Sequence, residues 1–317
     1  MRLREYEQNA ARRLTKAGVD SPRLCAQLLA GHVLGLDRLH CVLAAERELT
    51  PDQAGTLEAL TARRATGEPL AHFLGGREFF GRTFLVTPDT LIPRPETELL
   101  VETALELLPA GQPLRFADLG AGSGCIGVTL CLERPRWCGL LLELSAPALE
   151  VARANAARLG AATRLDALRA DLRAIPLAGG SCDLLVSNPP YIADAERGQV
   201  MDEVLRFEPH SALFSPEAGL AHLRAVIAQA ARLLRPGGLL LLNTARPKGR
   251  PCGTCCPRAM LLSVSPRAAI WPDWSVALWP GKCNMKCIAS GQSAITAFFI
   301  KKSWKRHFLL AKSVGSV

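Results

Sequence analysis

Four consecutive residues, Asn188-Pro189-Pro190-Tyr191, combine the groups needed to grip a planar NH₂. They follow Asp183-Leu-Leu-Val-Ser187, an apolar run that reads as a short buried strand bounded by turn residues. Two prolines stiffen the backbone and remove its amide donors. The Asn188 side chain and the Pro189 carbonyl are then free to face outward at the strand's C-terminal end, where open α/β sheets bind ligands. An Asn oxygen and a nearby carbonyl together accept both N–H bonds of an amide or aromatic amine, and Tyr191 offers a flat face beside it. Alone, the tetrapeptide reads equally well as a Pro-rich turn after a core strand, so its surroundings decide.

Those surroundings hold a second half-site. Glycines at 120, 122 and 124, in Gly120-Ala121-Gly122-Ser123-Gly124, allow a sharp turn and let a ligand approach the backbone. Glu143 ends the next strand about twenty residues later, the usual place for a carboxylate that accepts ribose hydroxyl hydrogen bonds. Asp171 ends the third strand, where an acid would meet the adenine amino group. Each acid alone reads as a solvated loop charge. Together with the glycine loop and the clamp, they place a nucleoside and an amine-bearing substrate at one sheet edge.

The elements that position these residues follow from periodicity. Residues 1–70 read as a small helical bundle, with Leu24, Leu28, Leu29, Val33 and Leu34 forming a core-facing stripe, Thr50 an N-cap and Pro51 a first-turn residue. Phe73, Phe79, Phe80, Phe84 and Val86, broken by Gly75-Gly76 and Gly81-Arg82, suggest a β-hairpin joining two domains. Strands are then expected at 114–119, 139–143, 166–171, 183–187 and from 239. Helices lie between them, the last at 220–234 and closed by Arg235-Pro-Gly-Gly238. That alternation implies a parallel, doubly wound sheet. Expected domains are 1–72 (helical, substrate recognition), 73–92 (hairpin linker), 93–242 (α/β) and a 243–317 tail.

Composition bounds the function. The chain has 317 residues, 49% of them hydrophobic, enough for two cored domains. It has no run of about twenty apolar residues, and its first residues lack the apolar segment of a signal peptide, so a cytosolic protein is expected. The net charge of +9 is uneven: residues 1–242 carry 26 basic and 28 acidic side chains, while 243–317 carry 12 basic residues and one acid. The body therefore lacks the excess of Lys and Arg that phosphate contacts demand. Its six cysteines are scattered singly and no metal-ligand cluster is evident.

Several blocks together make the reading specific: Gly67-Glu-Pro-Leu-Ala71, Gly76-Arg-Glu-Phe-Phe-Gly81, Leu91-Ile-Pro-Arg-Pro-Glu-Thr-Glu98, Asp118-Leu-Gly-Ala-Gly-Ser-Gly124, Ser187-Asn-Pro-Pro-Tyr-Ile192 and Phe207-Glu-Pro209. On these, residues 1–242 resemble the HemK/PrmC family of S-adenosylmethionine-dependent methyltransferases, the N5-glutamine methyltransferases of class I peptide chain release factors. The resemblance implies an N-terminal helical bundle followed by a Rossmann-like class I methyltransferase domain. Its cofactor would be S-adenosyl-L-methionine, and its substrate the glutamine amide of a release factor Gly-Gly-Gln motif. It further implies a cytoplasmic monomer that binds neither membrane nor nucleic acid.

Carried over, Gly120, Ala121, Gly122, Ser123 and Gly124 would hold the methionine moiety. Glu143, where the family more often has Asp, would bind the ribose, and Asp171 with Leu172 would frame the adenine. Asn188 would touch cofactor and substrate alike. Asn188, Pro189, Pro190 and Tyr191 would hold the substrate amide, with Asn188, Pro189 and Tyr191 carrying the catalysis. Arg94, Glu96 and Thr97 would border the same cavity, or serve only as an N-cap and surface charges. The rivals are an adenine-N6 DNA methyltransferase, which shares the clamp but is opposed by the body's charge, and a non-catalytic cofactor-binding adaptor.

The resemblance stops after Leu242. The family continues with a Glu-His-Gly-like end of strand five, where this chain has Asn243-Thr-Ala245. Codons for Asn-Thr-Ala read one base earlier after a G give Glu-His-Gly, so a reading-frame shift near residue 243 is expected. With it come disrupted last strands and a disordered, aberrant basic tail. Zinc binding by Cys252, Cys255, Cys256, Cys283 and Cys287 is the rival reading of that tail, and basic nucleic-acid binding a second.

Overall fold

The computed structural model describes residues 1–244, 258–265, 287–290 and 293–300. Five helices open the chain: α1 (Leu3–Lys16), α2 (Pro22–Leu34), α3 (Arg38–Leu43), α4 (Pro51–Ala65) and α5 (Leu70–Leu74). Thr50 caps α4 through a reciprocal pair, Gln53 N–H donating to Thr50 Oγ1 and Thr50 N–H to Gln53 Oε1, both at 3.2 Å. The α2 stripe is phased differently from expectation. Cys25, Ala26, Leu29 and Ala30 are buried, while Leu24 lies on the solvent side. Small residues let α1 and α4 pack closely here, and an apolar pattern alone cannot weigh that against side-chain size.

Strands β1 (Arg77–Phe79) and β2 (Arg82–Phe84) form the expected hairpin, its turn made by Phe80 and Gly81, both at positive φ. Helix α6 (Glu98–Leu107) leads into the α/β region: β3 (Leu114–Leu119), α7 (Cys125–Glu133), β4 (Trp137–Glu143), α8 (Ala146–Arg158), β5 (Leu165–Arg169) and β6 (Cys182–Ser187). Then come α9 (Asp202–Phe207), the one-turn α10 (Pro216–Gly219), α11 (Ala221–Leu233) and β7 (Leu234–Thr244). Strand order is β5-β4-β3-β6-β7, all parallel. Alternate residues feed two cores: Phe116, Leu141, Leu184 and Val186 pack against α6, α7 and α8, whereas Ala117, Leu142, Leu185 and Leu240 pack against α11. Each fully buried leucine contributes about 1.5–3 kcal/mol relative to exposure.

Three expectations need correcting. The third strand stops at Arg169, so Asp171 lies just beyond it. Arg235-Pro-Gly-Gly238 does not separate helix from strand. β7 begins at Leu234 and absorbs those residues in a register shift opposite Cys182–Leu184, Gly237 supplying a φ of +81°. Finally, the tail is not wholly without structure: β8 (Arg258–Ser265), β9 (Cys287–Ser290) and β10 (Ser293–Ile300) extend the sheet in the order β7-β8-β10-β9 with antiparallel pairing. Ala259–Val264 is a largely apolar run, and Ala294–Ile300 is rich in β-branched and aromatic residues, the composition that favours strands. Cys252, Cys255, Cys256 and Cys283 lie outside the described residues.

Candidate active site

Register brings the two half-sites together. Asp118 pairs with Val186 across β3 and β6, and Leu119 with Leu142 across β3 and β4. Two residues on from the first pair stand Gly120 and Asn188, and one residue on from the second stand Gly120 and Glu143. The glycine loop, the clamp and the first acid therefore leave the sheet at one level. β3 is the strand from which the chain winds first to β4 and β5 and then back to β6, which makes this the topological switch point.

The loop is shaped by its glycines. Gly120, Gly122 and Gly124 have φ of +73°, +55° and +76°. A Cβ on Gly120 or Gly122 would meet nothing within 4 Å, so the loop's outer face is open to a ligand. A Cβ on Gly124 would press on Ala152 at 3.2 Å, so that glycine serves the packing of α7 on α8. Ala121 and Ser123, between the glycines, are buried. Glu143 closes the loop from below: its Oε2 accepts from Gly122 N–H at 2.9 Å and its Oε1 from Ser145 N–H at 3.0 Å. Beside it, Leu144 is 54% exposed, unusual for a large apolar side chain at a strand end.

Two buried polar groups that sequence reasoning passed over support the loop. Asp118 is fully buried. Its Oδ2 accepts from Gly127 N–H at 2.9 Å while Oδ1 has no partner, and burial pushes its carboxyl up to about 7. Asn155, also fully buried, donates to the carbonyls of Ser123 and Leu85 and accepts from Leu85 N–H at 2.7 Å, tying loop to linker. Its signal was present in the sequence: a polar residue in register with Ala148, Leu149 and Ala152 on the buried face of α8.

Asp171 is less simply placed. Arg173 holds both of its oxygens through its side chain and backbone N–H, and keeps its carboxyl down at about 2. Leu172 packs at the margin of the α11 core.

At the clamp, Pro189 is buried and Pro190 half-buried. Burial raises the Tyr191 hydroxyl above its ordinary range. Asn188 Nδ2 donates to Thr97 Oγ1 at 3.3 Å, while its Oδ1 is buried without a partner. Of the three bordering residues, Thr97 is thus on the clamp and Glu96 faces solvent. Arg94 pairs at 2.5 Å with Glu208, whose other oxygen accepts from Ile92 N–H. Behind the clamp, residues 191–193 are zipped to 213–215 by Ile192 N–H to Leu213 O and Ser215 N–H to Ile192 O. The α9 end of this segment meets the helical bundle through Arg64, buried and paired with Glu203 at 3.0 Å.

Two family models match the chain, the PrmC N-terminal domain over residues 5–75 and the methyltransferase small domain over 95–212. Among curated proteins, the release factor glutamine methyltransferase of Nitratidesulfovibrio vulgaris is 52% identical over 236 residues, covering 74% of this chain and 80% of its own. Proteins of the same name from Koribacter versatilis and Cereibacter sphaeroides are 41% and 42% identical, covering 77% and 84% of this chain and 86% and 93% of theirs. With the glycine loop, the strand-end acid and the Asn-Pro-Pro-Tyr clamp converging at one switch point, this chain belongs to the release factor glutamine methyltransferase family.

Proposed function

We propose that this protein transfers a methyl group from S-adenosyl-L-methionine to the side-chain amide nitrogen of a glutamine, in the Gly-Gly-Gln motif of class I peptide chain release factors. The observation that carries the reading is the buried, unpartnered Asn188 Oδ1 level with the open glycine loop. A buried acceptor without a partner costs about 1–3 kcal/mol, which a donor arriving from the substrate restores.

The residues present fit the cofactor. Gly120 and Gly122 leave space where a Cβ would intrude, Glu143 offers a carboxylate at the strand end, and Leu144 offers an exposed apolar surface for a base. The Gly120–Gly124 loop would hold the methionine part, Glu143 the ribose, and Asp171 with Leu172 the adenine. When bound, the cofactor supplies an electrophilic methyl on a sulfonium.

The protein's own task is the nucleophile. An amide nitrogen is poor because its lone pair is delocalised into the carbonyl. Asn188 Oδ1 and the Pro189 carbonyl accept its two N–H bonds, fix the nitrogen in direction and favour the positive charge that grows on it. Tyr191 packs beside the amide plane. The proton then leaves to water, so no dedicated base is required. Among the described residues no helix is long and apolar enough to cross a membrane. A release-factor substrate places the reaction in the cytoplasm.

Asn188→Ala is the test. Methyl transfer to a release factor should fall by about 10²–10³-fold while cofactor affinity stays within a few-fold. Transfer by the parent protein from labelled cofactor to duplex DNA, and none to release factor, would sink the reading.

A further inference from the structure

We propose that Thr97 is a positioning residue for this transfer: its hydroxyl oxygen holds the Asn188 amide in the orientation that turns Oδ1 toward the substrate. The inference rests on the reading above for what Asn188 grips, and on separate geometry for how Asn188 is held. The two ends of an Asn amide have nearly the same shape, so packing cannot choose between them. Hydrogen bonds must.

At Asn188 one end has a partner, Nδ2 donating to Thr97 Oγ1 at 3.3 Å, and the other end has none. The flipped amide would present two N–H donors to a substrate NH₂, donor against donor. Thr97 Oγ1 anchors one end of the amide, and the two N–H donors of the arriving substrate favour the orientation in which Nδ2 donates to Thr97 and Oδ1 is left for the substrate.

A second observation points the same way. Thr97 ends the helical turn Pro95–Thr97 that runs straight into α6. Its helical backbone angles (φ −72°, ψ −22°) fix the direction of its side chain. The hydroxyl meets a side chain 91 positions away. Thr97 is only 2% exposed, so water does not compete for it.

Its position is fixed by the turn Pro95–Thr97, in which Thr97 N–H donates to Arg94 O at 3.0 Å. That turn is pinned in its turn by Glu208, which holds both Arg94 and the Ile92 N–H. Within the Leu91–Glu98 block, the Thr97 hydroxyl is the group bonded to the Asn188 amide.

Thr97→Val keeps the volume and removes the acceptor, and Thr97→Ser keeps the acceptor. Expected for Thr97→Val is a kcat for release-factor methylation lower by about tenfold, the scale of one hydrogen bond, with KM and cofactor affinity within about twofold of the parent. Thr97→Ser should recover most of the loss. A readout independent of activity is the Asn188 side-chain NH₂ pair in ¹⁵N spectra, identified by its loss in Asn188→Ala. Thr97→Val should shift it and speed its solvent exchange by about tenfold, and Thr97→Ser should not. Unchanged kcat and an unchanged NH₂ pair in Thr97→Val overturn the proposal, as does a Thr97→Ser variant as impaired as the valine. If the parent methylates no release factor yet the NH₂ pair responds to valine and not to serine, the positioning stands and the substrate assignment falls.

Discussion

Gly219→Ala is a small change with a calculable consequence at the clamp. Gly219 has φ +87°, and a Cβ placed there would lie 2.3 Å from the Tyr191 carbonyl oxygen and 3.2 Å from its carbon. A comfortable carbon–oxygen contact is about 3.3 Å, so one partner must retreat by about 1 Å. The obstacle is backbone, and no side-chain rotation relieves it. Tyr191 cannot swing away freely, because Ile192 and Ser215 are joined by the bonds that zip this segment to 213–215. Displacing the Tyr191 carbonyl by about 1 Å moves the neighbouring Pro189 and Asn188 acceptors by a fraction of that, and misplacement on this scale costs up to about 10²-fold in rate. The positive φ adds about 1–2 kcal/mol of strain for alanine. Single-turnover transfer of labelled methyl to a release factor, beside equilibrium dialysis of the cofactor, separates the effects. The expected result is a rate reduced by about 10- to 100-fold with cofactor affinity nearly unchanged, since Gly219 is remote from the Gly120–Gly124 loop in sequence and bonding. A folded Gly219→Ala protein transferring methyl within threefold of the parent refutes the reasoning. Ala218→Gly is the counterpart: at φ +56° it relieves left-handed strain without adding an atom, and should raise Tm by a few degrees at unchanged rate.

Two further outcomes test the supports. Glu208→Gln strips the Arg94 guanidinium of its countercharge, and because Arg94 is about a third exposed the cost should be about 1–2 kcal/mol, a Tm lower by several degrees in a calorimetric scan. An unchanged Tm would show the pair to be ornamental. For Asp118, burial raises the folded carboxyl from 3.8 to about 7, so the folded state binds its proton more tightly than the unfolded chain does. This contribution to stability is fully present below about pH 4 and is lost as pH rises through 7. Asp118→Asn cannot ionise, so its urea-melting advantage over the parent should grow by on the order of 2 kcal/mol between pH 5 and pH 8. A difference flat with pH would contradict the assignment.

The parts of the site that were legible in the sequence are those set by local chain chemistry. Glycines at 120, 122 and 124 announce positive φ, an acid at 143 follows an apolar run, and two prolines end the strand before Tyr191. Each signal sits within a few residues of the structure it makes. What escaped was set by pairs distant in sequence. Asn155 bonds Leu85 across 70 positions, Glu208 bonds Arg94 across 114, and Gly219 matters only because the Tyr191 carbonyl lies against it. The same limit explains Arg235-Pro-Gly-Gly238, whose local chemistry says break, while pairing with β6 carries the strand through it. In the tail, where a reading-frame shift was expected to bring disorder, β8 pairs with β7 and β10 with β8.

The division between legible and hidden follows the division of labour in the reaction. The Gly120–Gly124 loop is shaped by its own positive-φ glycines and by Glu143 bonded to Gly122 N–H, so the proposed cofactor half rests on backbone conformation and one nearby acid. The acceptor half has a harder task. In the proposed reaction it must aim a weak nucleophile, and that aim would depend on the orientation of a single amide at Asn188. Left on the end of β6, that amide would flip and the loop after it would drift. Four segments prevent this: Thr97 fixes the amide, Glu208 fixes the turn that carries Thr97, residues 213–215 zip the chain after Tyr191, and Gly219 lets the next turn close upon it. The ion pair of Arg64 with Glu203 extends the chain of contacts to the helical bundle, so the domain expected to recognise the substrate is tied to the segment that follows the proposed clamp. Loosening any one brace should lower kcat more than it lowers cofactor affinity, because each acts on the direction of the nucleophile and none forms part of the Gly120–Gly124 loop.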